Sequence, residues 1–93
     1  MMFNPLHPGE TLKELYLDPL ELTITGTAKS LKMTRAALSE IVNGKRSITP
    51  NVAIKLAKAF SGSAESWLQQ QASYDLWVES EKYAAEDVAV LYG

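Results

Sequence analysis

Residues 23–44, TITGTAKSLKMTRAALSEIVNG, decide the fold. Thr23 is suited to cap a helix, because its hydroxyl can accept a hydrogen bond from a free N–H of the first turn. Ile24, Thr27, Ala28 and Leu31 then repeat at i, i+3, i+4 and i+7, the spacing of one helical face. After a short turn at Lys32-Met33, Thr34 caps a second helix with Ala37, Leu38, Ile41 and Val42 on its inner side. Asn43-Gly44 ends it, as expected where a left-handed residue is needed. Two short helices joined by a three- or four-residue turn are a unit for DNA binding. Ala28 is small where the second helix crosses the first, Leu31 and Met33 plug the base of the turn, and Leu38 and Ile41 are anchors. The outer face carries Thr34, Arg35, Ala36, Ser39 and Glu40. Gly26 weakens the first of these helices by about 1 kcal/mol relative to alanine.

Upstream, His7-Pro8-Gly9-Glu10 predicts a helix start: proline suits the first helical position and an acidic first turn complements the dipole. Leu12, Leu15 and Tyr16 fall on one face of that helix. Asp18-Pro19 closes it, because proline disfavours helical geometry in the residue before it. Downstream, Thr49 caps a helix opened by Pro50, with Val52, Ala53, Leu56, Ala57 and Phe60 as its apolar stripe. Ser61-Gly62 breaks it, and Ser63 starts the last and longest helix. There Ala64, Leu68, Ala72 and Leu76 form one stripe, while Trp67, Tyr74, Trp77 and Val78 spread around the neighbouring side. No hairpin signal and no internal repeat occurs, so the fold class is all-α. Residues 87–92, DVAVLY, are compatible with a helical extension, a short strand against a partner, or fraying.

The chain of 93 residues is one domain's worth, with 46% apolar and 22% charged residues. Cysteine is absent, which excludes a disulfide framework, a thiolate zinc site and a cysteine nucleophile. The one histidine, His7, reads as a structural residue at the helix start. Asp75 and Glu79 lie one turn apart, but surface carboxylates on an amphipathic helix account for them, so no metal and no cofactor is expected. No apolar run approaches the ~20 residues of a membrane span, and residues 1–8 lack a secretory pattern. A cytoplasmic, non-enzymatic protein without membrane association is the expectation.

The net charge of −2 conceals a strong asymmetry. Residues 1–28 sum to −3, residues 29–58 to +6, and residues 59–93 to −5. The central island holds Lys29, Lys32, Arg35, Lys45, Arg46, Lys55 and Lys58 against Glu40 alone. Its position over the helix-turn-helix favours a polyanionic partner.

Residues 42–50, VNGKRSITP, together with the opening HPGE and the later Trp67-Leu68 and Tyr74-Asp75-Leu76-Trp77, resemble the lambda-repressor-like (Xre) helix-turn-helix family. More closely, they are similar to the HigA/VapI antitoxins of HigBA toxin–antitoxin systems. The likeness spans residues 4 to about 78. It implies a five-helix lambda-repressor-like domain over residues 1–93, with the helix-turn-helix at about 23–43 and the last helix at about 63–82. It also implies a DNA-binding antitoxin that represses its own operon and neutralises a HigB-type mRNA-cleaving toxin. A stand-alone Xre-type regulator is the alternative. Two positions depart from the pattern. Lys32 stands where the turn usually holds glycine, at a cost of about 1 kcal/mol. Ile24 stands where a glutamine commonly holds phosphate, so either Thr23 or Thr25 is expected to take over that contact or the contact is lost.

Arg35 is the leading candidate for base readout, since arginine can pair bidentately with guanine. Thr34, Ala36 and Ser39 share its face and are small enough for close approach. Glu40 would be repelled by phosphate and is expected at the groove edge or a cytosine amine. The resemblance places Asn43, Lys45 and Arg46 beside the sugar-phosphate backbone. The apolar width of the last helix favours a homodimer through Trp67, Tyr74, Trp77 and Val78, the alternative being that both tryptophans are simply core. Its partners are then a double-stranded DNA operator, whose half-sites lie ~34 Å apart, and the toxin.

Overall fold

Each helix starts at the side chain suited to cap it. His7 Nδ1 accepts from Gly9 N–H at 2.9 Å, Thr23 Oγ1 from Gly26 at 3.0 Å, and Thr34 Oγ1 from Ala37 at 3.0 Å. Thr49 Oγ1 accepts from Val52 at 3.3 Å and Ser63 Oγ from Ser66 at 3.1 Å. The computed structural model describes residues 4–83 and 87–93, so part of the expected 1–93 domain, including Glu86 of the acidic flank, lies outside the described residues. The elements are α1 (Pro8–Leu12), a π-helical turn continuing it (Lys13–Leu17), α2 (Ile24–Ser30), α3 (Arg35–Val42), α4 (Pro50–Phe60) and α5 (Ala64–Lys82). No strand occurs among the described residues, and no helix among them is long and apolar enough to cross a membrane.

Leu12, Leu38, Ile41, Ala53 and Leu56 are fully buried and join α1, α3 and α4 into one core. Leu17, Ala28, Leu31, Ile48 and Trp67 close around them. Helix α3 lies between α1 and α2, and α5 packs along α4 and α1. The approach of α1 to α3 is so close that a Cβ on Gly9 would stand 1.7 Å from the Ile41 carbonyl oxygen. Only a residue without a side chain fits there.

Two expectations about helix faces are corrected. Leu15 is 64% exposed, and Leu17, not Leu15, joins Leu12 and Tyr16 on the inner side. The π turn accounts for this, because a wider turn inserts one extra residue and rotates everything after it. The same turn revises the part given to Pro19. Asp18 remains helical at φ −66°, ψ −50°, with its N–H bonded to Lys13 C=O. A proline ring normally clashes with the carbonyl four residues back, and widening the preceding turn relieves that. The chain then reverses through Glu21, whose φ is +56°.

On α5, the expected stripe holds only in its first half: Ala64 and Leu68 pack against the core, whereas Ala72 is exposed and Leu76 is 70% exposed. Trp67, Gln71, Tyr74 and Val78 form the inner line. The polar Gln71 hides this face from an apolar-pattern reading. Its amide oxygen accepts from Ile48 N–H at 2.8 Å and its nitrogen donates to Asp75 at 2.9 Å, so burial leaves it satisfied. Residues 87–92 form neither helix nor strand, and Val88, Val90, Leu91 and Tyr92 are exposed.

Candidate nucleic-acid interface

Helix α3 presents its N-terminal turn and one long face to solvent. Lys32 holds the turn before it at φ +57°, the left-handed conformation expected of a residue in glycine's place. Its carbonyl accepts from Lys55 Nζ at 3.0 Å, which ties the turn to α4. Leu31 is buried and Met33 half-buried beneath it. Arg35, Ala36, Glu40 and Asn43 are exposed and Ser39 is half-buried, so four of the five side chains sit where a groove could receive them.

The candidate contact residues differ in what else they do. Thr34 and Thr23 cap α3 and α2, so one lone pair of each hydroxyl is occupied. Thr25 Oγ1 accepts from Arg35 Nε at 3.0 Å. Glu40 is paired with Arg46, with its Oε1 2.6 Å from Nη2 and 2.8 Å from Nε. Both side chains are about half exposed, so the pair contributes about 0–1 kcal/mol to stability. Its main effect is geometric, because it lays Arg46 against α3 and offsets an acidic charge on the outer face. Asn43 Nδ2 lies at the long limit, 3.5 Å, from Ser39 Oγ. Lys45 is exposed, and its backbone N–H bonds Glu40 C=O at 2.8 Å while Gly44 takes φ +74°.

The two sequence motifs at opposite ends of this region meet in space. His7 is buried at 3% exposure. Its ring caps α1 and meets Tyr74 edge-to-face at 5.0 Å and 77°. Gly44 packs over the same ring, whose nearest atom would be 3.7 Å from a Cβ there. Burial pushes the His7 pKa below its ordinary value, against the opposing influence of Asp75, Glu10 and the Arg46 backbone. The buried imidazole thus packs against the segment that follows α3 at Gly44, while Gln71 holds Ile48 at its far end. The close approaches at Gly9 and Gly44 were the available signal for this junction, and neither can be told from an ordinary helix-end glycine by sequence alone.

The basic island divides between two surfaces. Arg35, Lys45 and Arg46 lie on and just after α3. Lys32, Lys55 and Lys58 border an apolar groove between α2 and α4 with Leu31, Ile54 and Ala59. Among the four candidates on α5, Trp67 is 6% exposed and committed to the chain's own core. Tyr74 is occupied with His7 and lies 6.4 Å from the half-buried Trp77, and Val78 is half-buried. Leu76 and Tyr83, neither of them among the four, are the large apolar side chains that α5 and its end leave exposed. No group of three or more potential metal ligands occurs among the described residues.

Comparison with known proteins agrees with this architecture. A family model described as helix-turn-helix matches residues 12–67. Virulence-associated protein A of Dichelobacter nodosus is 60% identical over 76 residues, covering 81% of this chain and 74% of that protein. The solved structure of an addiction module antidote protein of the HigA family from Coxiella burnetii superposes with a TM-score of 0.88 at 34% identity, over 97% of this chain and all of that one. The Pseudomonas aeruginosa antitoxin HigA, solved with the higBA promoter, gives a TM-score of 0.84 at 28% identity, covering 95% and 99% of the two chains.

Proposed function

The chain belongs to the Xre-type helix-turn-helix family together with the HigA antitoxins, and we propose on that premise that it is an autorepressing antitoxin. The family is one of DNA-binding regulators, not of enzymes. In the proposed mechanism, residues 1–93 act as one cytoplasmic domain that docks α3 in the major groove of an operator upstream of its own gene. The observation that carries this is the solvent-facing N-terminal turn of α3, capped by Thr34 and led by an exposed Arg35. Arg35 reads a guanine, and Thr34, Ala36 and Ser39 approach neighbouring base edges. Asn43, Lys45 and Arg46 hold the sugar-phosphate backbone, with Thr23 or Thr25 as further contacts. Glu40 serves as the partner of Arg46.

Phosphate contacts supply most of the affinity and make it fall with salt. Two or three cationic contacts per subunit correspond to a slope of log affinity against log salt of about −2 to −3 per subunit. Lys32, Lys55 and Lys58 border another surface and act through the long-range field. A homodimer built through α5, with Tyr74, Trp77 and Val78 near the contact, matches two half-sites ~34 Å apart. Since Trp67 is already in the core, the exposed Leu76 is its natural replacement at that contact. The acidic first and last thirds of the chain are complementary to a basic toxin of the HigB type, an mRNA-cleaving nuclease.

Gel-shift titration against the upstream DNA at several salt concentrations, paired with co-purification of the adjacent reading frame's product, tests the proposal. Salt-sensitive, sequence-selective binding and a stable complex with a small basic protein are expected. Salt-insensitive binding contradicts the DNA mechanism. Operator binding with no toxin partner leaves a stand-alone regulator instead.

A further inference from the structure

Thr25 and Arg35 lie ten residues apart, near the N-termini of α2 and α3, and their side chains meet across the outer surface. Arg35 Nε donates to Thr25 Oγ1 at 3.0 Å. We infer that Thr25 is a positioning residue for Arg35, holding the guanidinium so that only its two terminal nitrogens are offered to the DNA. This rests on the proposed base-reading role of Arg35.

A guanidinium has five N–H donors in a planar fork. With Nε–H engaged, the four donors on Nη1 and Nη2 remain. Guanine presents O6 and N7 side by side in the major groove, matching a two-donor edge. Arginine can satisfy that edge through its Nε side or end-on through its two terminal nitrogens. The bond to Thr25 removes the first option and leaves the second. It also reduces the freedom that a long exposed side chain must lose on binding, which improves affinity without a new contact to DNA. Threonine suits the role because branching at Cβ restricts its χ1 and therefore the position of the hydroxyl. The hydroxyl accepts from Arg35 and keeps its own proton, so a phosphate contact remains compatible with positioning. The essential claim is energetic coupling between the two side chains.

Fluorescence anisotropy tests it with wild type, Thr25→Val, Thr25→Ser, Arg35→Ala and the double variant Thr25→Val/Arg35→Ala. Each is titrated with the operator duplex and with a shuffled duplex at one salt concentration, after far-UV circular dichroism has confirmed equal helicity. Thr25→Val is expected to lose about five- to tenfold on the operator, the scale of one ordinary hydrogen bond. It should lose less than about twofold on the shuffled duplex and less than about twofold in the Arg35→Ala background, where there is nothing left to position. Thr25→Ser, which keeps the acceptor, should stay within about threefold of wild type. An unchanged operator affinity for Thr25→Val overturns the inference. So does an equal loss on both duplexes and in both backgrounds, which marks Thr25 as a phosphate contact alone. If Arg35→Ala binds the operator as tightly as wild type, the base-reading role of Arg35 fails first and the inference falls with it.

Discussion

Replacing Gly9 by alanine sets two effects of opposite sign against each other. Alanine is the better helix former by about 1 kcal/mol, and Gly9 lies within α1, so local propensity predicts stabilisation. Packing predicts the reverse. The new Cβ would stand 1.7 Å from the Ile41 carbonyl oxygen and 2.6 Å from its carbon, far inside the ~3.5 Å of a comfortable contact. Both obstacles are backbone atoms of α3, so no side-chain rotation relieves them. The helices must separate by roughly 1.5 Å or more, opening a core that holds fully buried Leu12, Leu38 and Ile41. Overpacking of this kind costs about 1–3 kcal/mol, and a clash with backbone belongs at the upper end. The net loss is therefore about 2 kcal/mol, which lowers Tm by roughly 8–16 °C for a domain of this size. Thermal denaturation followed by circular dichroism measures it directly. Gly26→Ala is the companion variant, since only the Thr23 hydroxyl oxygen, at 3.0 Å, lies near a Cβ there. It should change stability by no more than about 1 kcal/mol. A Gly9→Ala protein with an unchanged or raised Tm would refute the close-approach reasoning.

Two further predictions concern strain and pH. Ser61 holds φ +71° and ψ 178°, a region that glycine alone occupies easily, so Ser61→Gly should raise Tm by an amount equivalent to about 1 kcal/mol; a lowered Tm contradicts this. The fold lowers the pKa of His7, so the unfolded chain takes up the proton first, and the stability from neutral His7 is complete above pH ~6.5 and lost as the pH falls below it. Wild-type Tm should drop between pH 7.5 and 5.5. His7→Asn keeps a capping acceptor but cannot titrate, and should flatten that drop; an identical drop in both proteins excludes His7 as its source.

The helix-turn-helix was legible because its determinants are local. Thr23, Thr34 and Thr49 announce their helices within four residues, and Lys32 adopts the left-handed turn that its place in the motif demands. The π turn was not legible, because KELYL is also a good α-helical segment and Pro19 acts on the turn before it from outside. One inserted residue was enough to exchange Leu15 for Leu17. The inner face of α5 was misread beyond Leu68 because the buried Gln71 is satisfied by Ile48, a partner 23 residues away. Within the candidate interface, Arg35 and Arg46 are singled out by residue type and position. Their partners Thr25 and Glu40 were given other parts, because the Thr25 pairing depends on how two helices cross and the Glu40 pairing on how the loop folds back on α3.

The central claim is that the outer face of α3 meets DNA. Amide chemical shifts of the labelled protein, followed during titration with its upstream duplex, test it residue by residue. The largest shifts are expected at residues 34–39 and 43–46, with α5 beyond Leu76 little changed by DNA. Largest shifts along α5 or in the α2–α4 groove, with residues 34–39 unmoved, would contradict it.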